Sequence, residues 1–587
     1  MKKLIYRIVI IISAISSVKG QSIPNSPTDQ LFRSKIPTEK VYLHMNSSLL
    51  FVGESLYYSF YCLNGDTDNL SSLSDIGYVE LVSEDKIVVL KQKLKLEKGM
   101  ASSDLFIPVS IPSGNYKIIG YTKWMVNQNS FFQEDISIIN PYQENQKAIL
   151  QQNDVQLRLE KPQLRNKLDD NFELLMDKTS FKKRSKVTLK MINRSNSAAN
   201  LSMTVGNISP IKPNATQQSA TGVLKDKPSA NTFKLKRDSI WLPEVRGEII
   251  SGKIIPINDT LKVSNINISL SIPDKINGFI KIANTNNKGD FYFNISEEFY
   301  SEVEAVFQVI HKHKQLYKIE LDANVTLDYS DLNFEKFSIS PAMEKLIKQR
   351  SVYNQIENSY FSVKPDSIVE KQTEFLFNGR DVLVFDLDDY TRFNTVKETL
   401  VEIIEHVWAT KENEKNVLRV RQRSTYYGNA LSTESEDPLV LVDGVFVQDY
   451  NTVINYDARK VKTISVIRDK YVYGDRIYQG VILIQTKTGD FMLQDQGAYI
   501  LRRKLIYPEK NKSYFKQEYS TQNQNRTKRF PDFRSQLLWE PHLYTKAHET
   551  QEISFYTSDV EGDFKVVLEG FMQNGKAISI EKFFKVR

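Results

Sequence analysis

The sequence predicts a mainly β, multi-domain protein built from tandem immunoglobulin-like β-sandwiches with one small α/β domain. The 587 residues exceed what one hydrophobic core usually organises, which predicts roughly three to five domains. Aromatic residues make up 11% of the chain, including 29 Tyr and 31 Phe, and such residues are enriched in strands. Short runs of alternating apolar and polar residues recur between clusters of Asn, Gly, Asp and Ser, as in antiparallel sheets.

The N-terminus has the pattern of a signal peptide. Lys2 and Lys3 precede an apolar run, and small residues follow it up to Gly20. We therefore expect residues 1–20 to be removed and the mature protein to be exported to the periplasm or the outer membrane. The formal charge of the whole chain is +7, and the predicted signal peptide contains four basic residues, so the mature chain carries only +3. This weak charge does not favour nucleic-acid binding.

Beyond residue 20, no stretch approaches the roughly 20 apolar residues of a membrane helix. The only cysteine, Cys62, lies in a strand-like run, so no cysteine is placed to carry a lipid and no intrachain disulfide is expected. We expect a mature chain that is soluble or peripheral to the outer membrane and is not lipidated.

The first predicted domain, residues 21–145, consists of strand-like runs with characteristic motifs. These are Glu39–His44, Gly53–Tyr58, Tyr78–Val82, Lys93–Leu96 and Pro112–Trp124. The order of these motifs resembles the N-terminal macroglobulin-like (MG2-type) domain of large Bacteroidota envelope proteins, which implies an immunoglobulin-like sandwich. The Cys-Gly-Glu-Gln thioester motif of inhibitory α-macroglobulins is absent, so the resemblance does not imply trapping of proteases.

Two further sandwiches are expected before residue 330. After a Gln-rich linker, the runs Phe172–Ile192 and Asn200–Val205 resemble a second macroglobulin-like module, placed at 164–240 with a polar insertion at 211–237. The segment 241–330 resembles a carboxypeptidase-regulatory-like domain, with Gly289 in a hairpin turn. That resemblance implies a binding sandwich without catalytic residues.

Helical spacing first appears at Ile339–Val363 and Val396–Trp408, which predicts a partly helical connector over 331–420. The following segment, 421–492, resembles the plug domain of TonB-dependent outer-membrane receptors. Its matching motif residues, which the resemblance identifies as an interaction motif, are Asp443, Gly444, Tyr473, Gly474 and Gly480. The residues after this segment are too few for a receptor barrel, so a transporter is not expected. A separate closing β-sandwich is predicted at 493–587, with Gly575 in a hairpin turn.

Few residues indicate a catalytic or metal-binding site. His311 and His313 lie two apart in a strand-like run, a spacing that a metal can bridge, but no third ligand is evident. The acidic group at 386–389 lacks the oxygen ligands and turn glycine of a calcium loop. Cys62 has the sequence context of a small buried residue. We expect no metal, no cofactor and no enzymatic activity.

The aromatic run at 57–61 covers both faces of one strand, and its exposed members would mark a partner surface. The sequence favours a scaffold or accessory subunit of an outer-membrane protein complex, with an outer-membrane β-barrel or another envelope protein as partner. The alternative is a glycan-binding or nutrient-binding component that works with a TonB-dependent transporter. A hydrolase or a protease inhibitor is a third hypothesis.

Overall fold

The computed structural model describes residues 36–146, 149–150, 166–211, 217–224, 241–273, 279–296, 304–323, 326–369, 377, 381–413, 415–423, 436–473, 476–519 and 530–587. The predicted signal peptide, most of the predicted linker and of the polar insertion, and Gly474 lie outside the described residues. Within the described part of the chain, every helix is too short or too polar to cross a membrane.

The first sandwich follows the motifs that predicted it. Three strands form one sheet, in the order β1-β3-β6, and five form the other, in the order β2-β8-β7-β4-β5. Their apolar side chains share one core. The strands are β1 (Glu39–Met45), β2 (Leu49–Phe51), β3 (Ser55–Asn64), β4 (Ile76–Ser83), β5 (Val88–Lys95), β6 (Met100–Phe106), β7 (Gly114–Tyr121) and β8 (Phe132–Ile139).

The next segment supplies only half of a second sandwich. It contains β9 (Phe172–Met176), β10 (Ser180–Phe181), β11 (Lys186–Asn193), β12 (Ala199–Asn207) and the short helix α1 (Ala220–Val223). Strands β9 and β11 pair with each other, whereas β10 and β12 lie in the opposite sheet. The strands that complete both sheets come from the far end of the chain.

The third sandwich consists of two small sheets with a common core. One sheet has the order β16-β13-β18, and in the other β14 lies between β15 and β17. Gly289 (φ +83°) lies in the turn before β16, as predicted. The strands are β13 (Glu248–Pro256), β14 (Asn267–Ile272), β15 (Phe279–Asn284), β16 (Asp290–Ile295), β17 (Ala305–Ile310) and β18 (Tyr317–Leu321).

After the third sandwich the chain returns to the first one. The strap, residues 326–343, crosses the outer face of the five-stranded sheet, where the Tyr329 hydroxyl donates to Glu80 and the Phe337 amide donates to Asn115 Oδ1 over 2.9 Å. Because the strap covers this face, strands β4 and β7 are buried on both sides. The predicted helix at 339–363 is present as α2 (Glu344–Ser359).

Helix α2 joins two sandwiches. The Arg350 guanidinium forms a bidentate ion pair with Glu54, with distances of 2.8 and 2.7 Å, and thereby holds the helix against the first sandwich. Three residues further along the helix, the Tyr353 ring stacks on Phe533, with ring centroids 4.3 Å apart. A two-residue strand follows, β19 (Ser367–Ile368).

An α/β unit occupies residues 381–493. Its five-stranded sheet has the order β20-β25-β26-β23-β24, and two helices and a hairpin pack on one face. Its elements are β20 (Val382–Asp386), α3 (Val396–Glu402), β21 (Val407–Glu412), β22 (Lys415–Val420), β23 (Leu439–Val442), β24 (Val445–Phe446), α4 (Tyr450–Ile454), β25 (Val461–Tyr473) and β26 (Arg476–Thr486).

The sequence analysis placed the start of the α/β unit at residue 421, but the unit starts earlier, at residue 381. Leu387, Val396 and Leu400, predicted to lie in a connector, are buried in the same core as Val440 and Ile482. The helix predicted over 396–408 ends at Glu402, since His406 has a positive φ and Val407 begins β21. The prediction of a connector over 331–420 is therefore wrong. The first part of this segment covers the first sandwich, and its last part belongs to the α/β unit.

The final segment adds strands to earlier domains. Strand β27 (Ile500–Arg503) pairs with β17 of the third sandwich, and β28 (Lys512–Ser513) pairs with β19. The last four strands are β29 (Gln536–Thr545), β30 (Thr550–Tyr556), β31 (Gly562–Met572) and β32 (Ala577–Val586).

Those four strands complete the half-sandwich of 166–207. One sheet has the order β10-β32-β31-β12-β29, the other has the order β30-β11-β9, and a single core lies between them. We name this domain the split sandwich. The separate sandwiches predicted at 164–240 and 493–587 do not occur, because neither segment alone contains enough strands to cover its apolar face. Gly575 (φ +81°) does lie in the β31–β32 turn, as predicted.

The first sandwich packs directly against the split sandwich. In β3, alternate side chains point to opposite faces of the sheet, and both faces are covered. The Tyr61 hydroxyl lies 2.8 Å from Ser202 Oγ, and the Tyr57 ring centroid lies 6.1 Å from that of Trp539. The aromatic run predicted to offer a partner surface is therefore largely occupied by the chain itself.

His44 lies in the same interface, and we expect it to make folding sensitive to acid. Its Nδ1 is 2.6 Å from Ser202 Oγ, and burial, followed by the charge of Lys565, lowers the pKa of His44 to about 3. The unfolded chain takes up a proton near pH 6.5 and the folded chain does not. The stability is thus complete above pH 6.5 and falls as the pH drops towards 3.

Because of His44, we expect the free energy of unfolding to be lower at pH 5 than at pH 7 by about 2 kcal/mol. Urea unfolding at both pH values measures it. His44→Phe keeps an aromatic ring beside Trp539 and should show a smaller loss between the two pH values. An equal loss in both proteins would show that His44 is not responsible.

Candidate partner-binding site

The predicted motif residues Asp443 and Gly444 form the turn between β23 and β24, with φ of +47° and +80°. The Asp443 carboxylate is buried and accepts hydrogen bonds from the Thr486 amide at 2.8 Å, the Thr486 hydroxyl at 2.5 Å and the Phe491 amide at 3.1 Å. These bonds fix the end of the sheet to the segment that follows it. The structural role of Asp443 is to hold the α/β unit together.

Gly480 also serves the packing of the α/β unit. Its φ is +82°, and a Cβ atom there would lie 2.6 Å from Val420 Cγ1 and 2.8 Å from the Ile467 carbonyl oxygen. The β25–β26 register shifts at this point. A glycine is needed so that the β21–β22 hairpin approaches the sheet closely.

Tyr473 and strand β24 attach the α/β unit to the third sandwich. The Tyr473 hydroxyl donates to the Ile280 carbonyl, and the Gln308 side-chain amide donates to the Phe446 carbonyl over 2.7 Å. The Phe446 amide donates in turn to Ser271 Oγ. The described motif residues thus make contacts within the chain, and their binding to a separate partner stays a prediction.

Strand β20 forms the opposite edge of the five-stranded sheet of the α/β unit. Among the described residues, β20 pairs only with β25. Its first four residues, 382–385, are all apolar, and the Val384 side chain is 62% exposed. Leu383 and Phe385 are only partly buried against the core of the unit. An exposed apolar edge strand offers backbone groups and apolar surface to another chain.

A cavity of about 350 Å³ adjoins this edge. It combines apolar side chains of β20 and the exposed ring of Tyr390 with charged side chains from the β25 strand and from the loops before β21 and after β22. Its lining residues are Asp381, Leu383, Val384, Phe385, Tyr390, Glu405, His406, Arg423, Arg468 and Asp469.

The two arginines of the cavity already have partners. Arg423 pairs with Asp381. The Arg468 guanidinium donates to the carbonyl oxygens of Arg421 and Gln422, at 3.0 and 3.2 Å. His406 Nε2 lies 3.6 Å from Glu405 Oε2. The three carboxylates and two guanidinium groups of the lining sum to a formal charge of −1. The uncompensated charge of these five groups is therefore negative.

The candidate metal ligands do not assemble. His311 and His313 lie beside each other in a turn, with ring centroids 5.9 Å apart, and burial lowers the pKa of His311. Asp386 caps a 3-10 turn by accepting the Asp388 amide, and Asp388 pairs with Arg392. In the described ranges, no group of three or more His, Cys, Asp or Glu side chains is arranged to hold a metal ion.

Cys62 is fully buried in β3. Burial, followed by the nearby Glu39 carboxylate, raises the pKa of this thiol well above its usual value. A buried thiol with a raised pKa is a poor nucleophile.

Sequence reasoning missed β20, because it placed residues 382–385 in the connector. The available signal was the run Val-Leu-Val-Phe, which is apolar, rich in β-branched residues and bounded by Asp381 and Asp386. Such a run indicates a strand but does not reveal whether the strand lies at the edge of its sheet.

No known protein-family model matches the sequence, and no curated protein matches it. Among solved structures, the chain is similar to a Salmonella α-2-macroglobulin reacted with methylamine (7% identity, TM-score 0.23, 97% of this chain and 40% of that one). It is also similar to Escherichia coli α-2-macroglobulin in the native conformation (8% identity, TM-score 0.24, 96% and 40%) and activated by porcine elastase (9%, 0.23, 94% and 44%). The chain spans less than half the length of each. TM-scores this low support no conclusion about function.

Proposed function

We propose that the chain is a non-enzymatic scaffold subunit of an outer-membrane protein complex. In this proposal the three sandwiches form a rigid body, and the α/β unit presents a binding edge to an outer-membrane β-barrel or another envelope protein. The predicted signal peptide supports export to the periplasm or the outer membrane. The resemblance of 421–492 to a receptor plug favours a barrel as the partner.

One observation carries the proposal: in the described part of the chain, the large sheet faces of the first sandwich are covered by other segments, whereas the apolar edge strand β20 has no partner on its outer side. The first sandwich is covered on one side by the split sandwich and on the other by the strap. The α/β unit is attached to the third sandwich through its β24 side. Strand β20, at the other side of that sheet, has no described neighbour besides β25. Such an arrangement suits a spacer with a binding end.

The domains are joined by specific contacts and not only by linkers. Lys93 of the first sandwich forms a 2.6 Å ion pair with Glu248 of the third, and Lys512 beside β19 pairs with Asp104 of the first at 2.7 Å. Helix α2 adds its contacts to both the first and the split sandwich. Several such contacts favour one relative arrangement of the domains, as a scaffold requires.

Purification from native envelopes tests the proposal. Arg587 is exposed at the end of the chain, so a tag after it should be accessible. We expect gentle solubilisation to recover an outer-membrane barrel in stoichiometric amount, identified by mass spectrometry. An unrelated exported protein with the same tag is the control.

Recovery of the protein as a monomer without a barrel would contradict the scaffold proposal. If that monomer also bound envelope-derived or dietary polysaccharides saturably, the glycan-binding alternative would replace it.

A further inference from the structure

We propose that the β20 edge binds an extended peptide segment of the partner by strand addition. The segment carries apolar residues at alternate positions, one of them beside Val384, and a basic residue that reaches Glu405 and Asp469. The inference rests on the proposed scaffold function, because it specifies how the scaffold holds its partner.

The residues of β20 distinguish it from three other edge strands of the protein, β5, β18 and β27. Proteins usually protect exposed edges with charged side chains, proline or bulges. Strands β5, β18 and β27 are edges of their sheets and each carries two or more charged residues, whereas β20 has none before Asp386. Its pairing with β25 is regular, without a bulge. The β20 edge therefore lacks the protection found on these other edges.

The cavity shares three lining residues with the β20 edge. Neighbouring strands lie about 4.8 Å apart, so a strand paired with β20 would occupy the space beside Leu383, Val384 and Phe385. These three residues line the cavity of about 350 Å³. In an added strand, a side chain opposite Val384 gains apolar contact with it.

The polar groups of the cavity favour a peptide over a small ligand. The side chains of Arg423 and Arg468 are engaged by Asp381 and by backbone carbonyls. What remains is chiefly the outer backbone of β20, which is best satisfied by the backbone of another strand. The charge of −1 around the cavity favours a basic residue in that strand.

Val384→Lys tests the edge, and Ile87→Lys provides a matched control. Ile87 lies in the β4–β5 turn of the first sandwich and is 61% exposed, compared with 62% for Val384. Both substitutions add the same charge at an equally exposed apolar position, so both proteins should fold with an unchanged melting temperature. We expect Val384→Lys to lower the recovery of the barrel about tenfold and Ile87→Lys to leave it unchanged.

The outcomes separate the two proposals. If the wild-type protein and both variants recover the barrel equally, the β20 inference is wrong while the scaffold function stands. If the wild-type protein recovers no barrel, the scaffold function is wrong, and a peptide measurement then decides the β20 inference independently.

The peptide measurement uses the full mature chain and a fluorescent synthetic peptide of alternating Val and Thr with one terminal Lys. Fluorescence anisotropy should show saturable binding to the wild-type and Ile87→Lys proteins, and about tenfold weaker binding to Val384→Lys. Replacing the peptide Lys by Glu should also weaken binding, and the double variant Glu405→Gln, Asp469→Asn should abolish that preference. A wild-type protein that does not bind, or a Val384→Lys protein that binds equally well, would overturn the inference.

Discussion

Replacing Gly570 by valine is expected to prevent the two distant segments of the chain, 166–207 and 536–586, from forming the split sandwich. Gly570 lies in β31 opposite Leu201 of β12, with φ +151°. A Cβ atom there would lie 2.2 Å from the Asn200 carbonyl oxygen and 2.8 Å from the Leu201 Cα atom. Because both contacts are with backbone, no side-chain rotation relieves them. We expect a loss of at least about 4 kcal/mol in the free energy of unfolding.

Urea unfolding and limited proteolysis measure this effect, since unpaired strands at 172–207 and 536–586 become accessible to protease together. Gly222→Ala is the control, because its nearest neighbour outside the local backbone, Ser219 Oγ, is 3.5 Å away. A Gly570→Val protein with wild-type stability would contradict the β12–β31 pairing.

The second large effect is expected for Glu569→Ala, at the interface between the split sandwich and the first. The buried Glu569 carboxyl group accepts hydrogen bonds from the Tyr42 hydroxyl, from the Ala220 amide at 2.6 Å and from the Ser579 hydroxyl at 2.6 Å. Burial raises the pKa of Glu569. Alanine removes the acceptor of the Ala220 amide and leaves the Tyr42 hydroxyl only the Gln218 carbonyl oxygen, 3.4 Å away. Each buried donor without an acceptor costs about 1–3 kcal/mol. We expect a total loss of about 3 kcal/mol.

Glu569→Gln is the matched variant, since its amide oxygen can accept from Tyr42 and Ala220 while its NH₂ group donates to the Ser579 oxygen. The glutamine variant should lose clearly less free energy of unfolding than the alanine variant. Hydrogen exchange localises the effect, and faster exchange is expected in β1 and β31 of the alanine variant. Equal losses for the two variants would show that the hydrogen bonds to Glu569 do not hold the interface.

The first and third sandwiches could be predicted because their strands, apart from the late strand β27, are consecutive and their side chains alternate. In β7, for example, Ile118 and Ile119 point to opposite faces, and the sequence already indicated a strand there. The sequence did not indicate that both faces are covered. That depends on the strap and on the split sandwich, which are distant along the chain.

The split sandwich could not be predicted from local patterns. Residues 199–207 and 562–572 both have strand character, but alternation indicates a strand without indicating its partner. More than 350 residues separate Leu201 from Gly570, and the pairing is decided by the shared core. The one local signal was that 164–240 contains too few strands for two sheets.

The candidate site was only partly predictable for a related reason. Asp443, Gly444 and Gly480 were recognised through the resemblance to a receptor plug, and the structure places their contacts inside the α/β unit. Strand β20 has no such motif. Its role as an edge follows from the strand order β20-β25-β26-β23-β24, which long-range pairing determines.

The most direct test of the account is photo-cross-linking in living cells. A photoreactive amino acid at position 384 should form a cross-link to an outer-membrane β-barrel, and the same amino acid at position 87, which is equally exposed on the first sandwich, should not. Cross-links to a barrel from position 87 and none from position 384 would contradict the proposal that the α/β unit presents the binding edge of a scaffold.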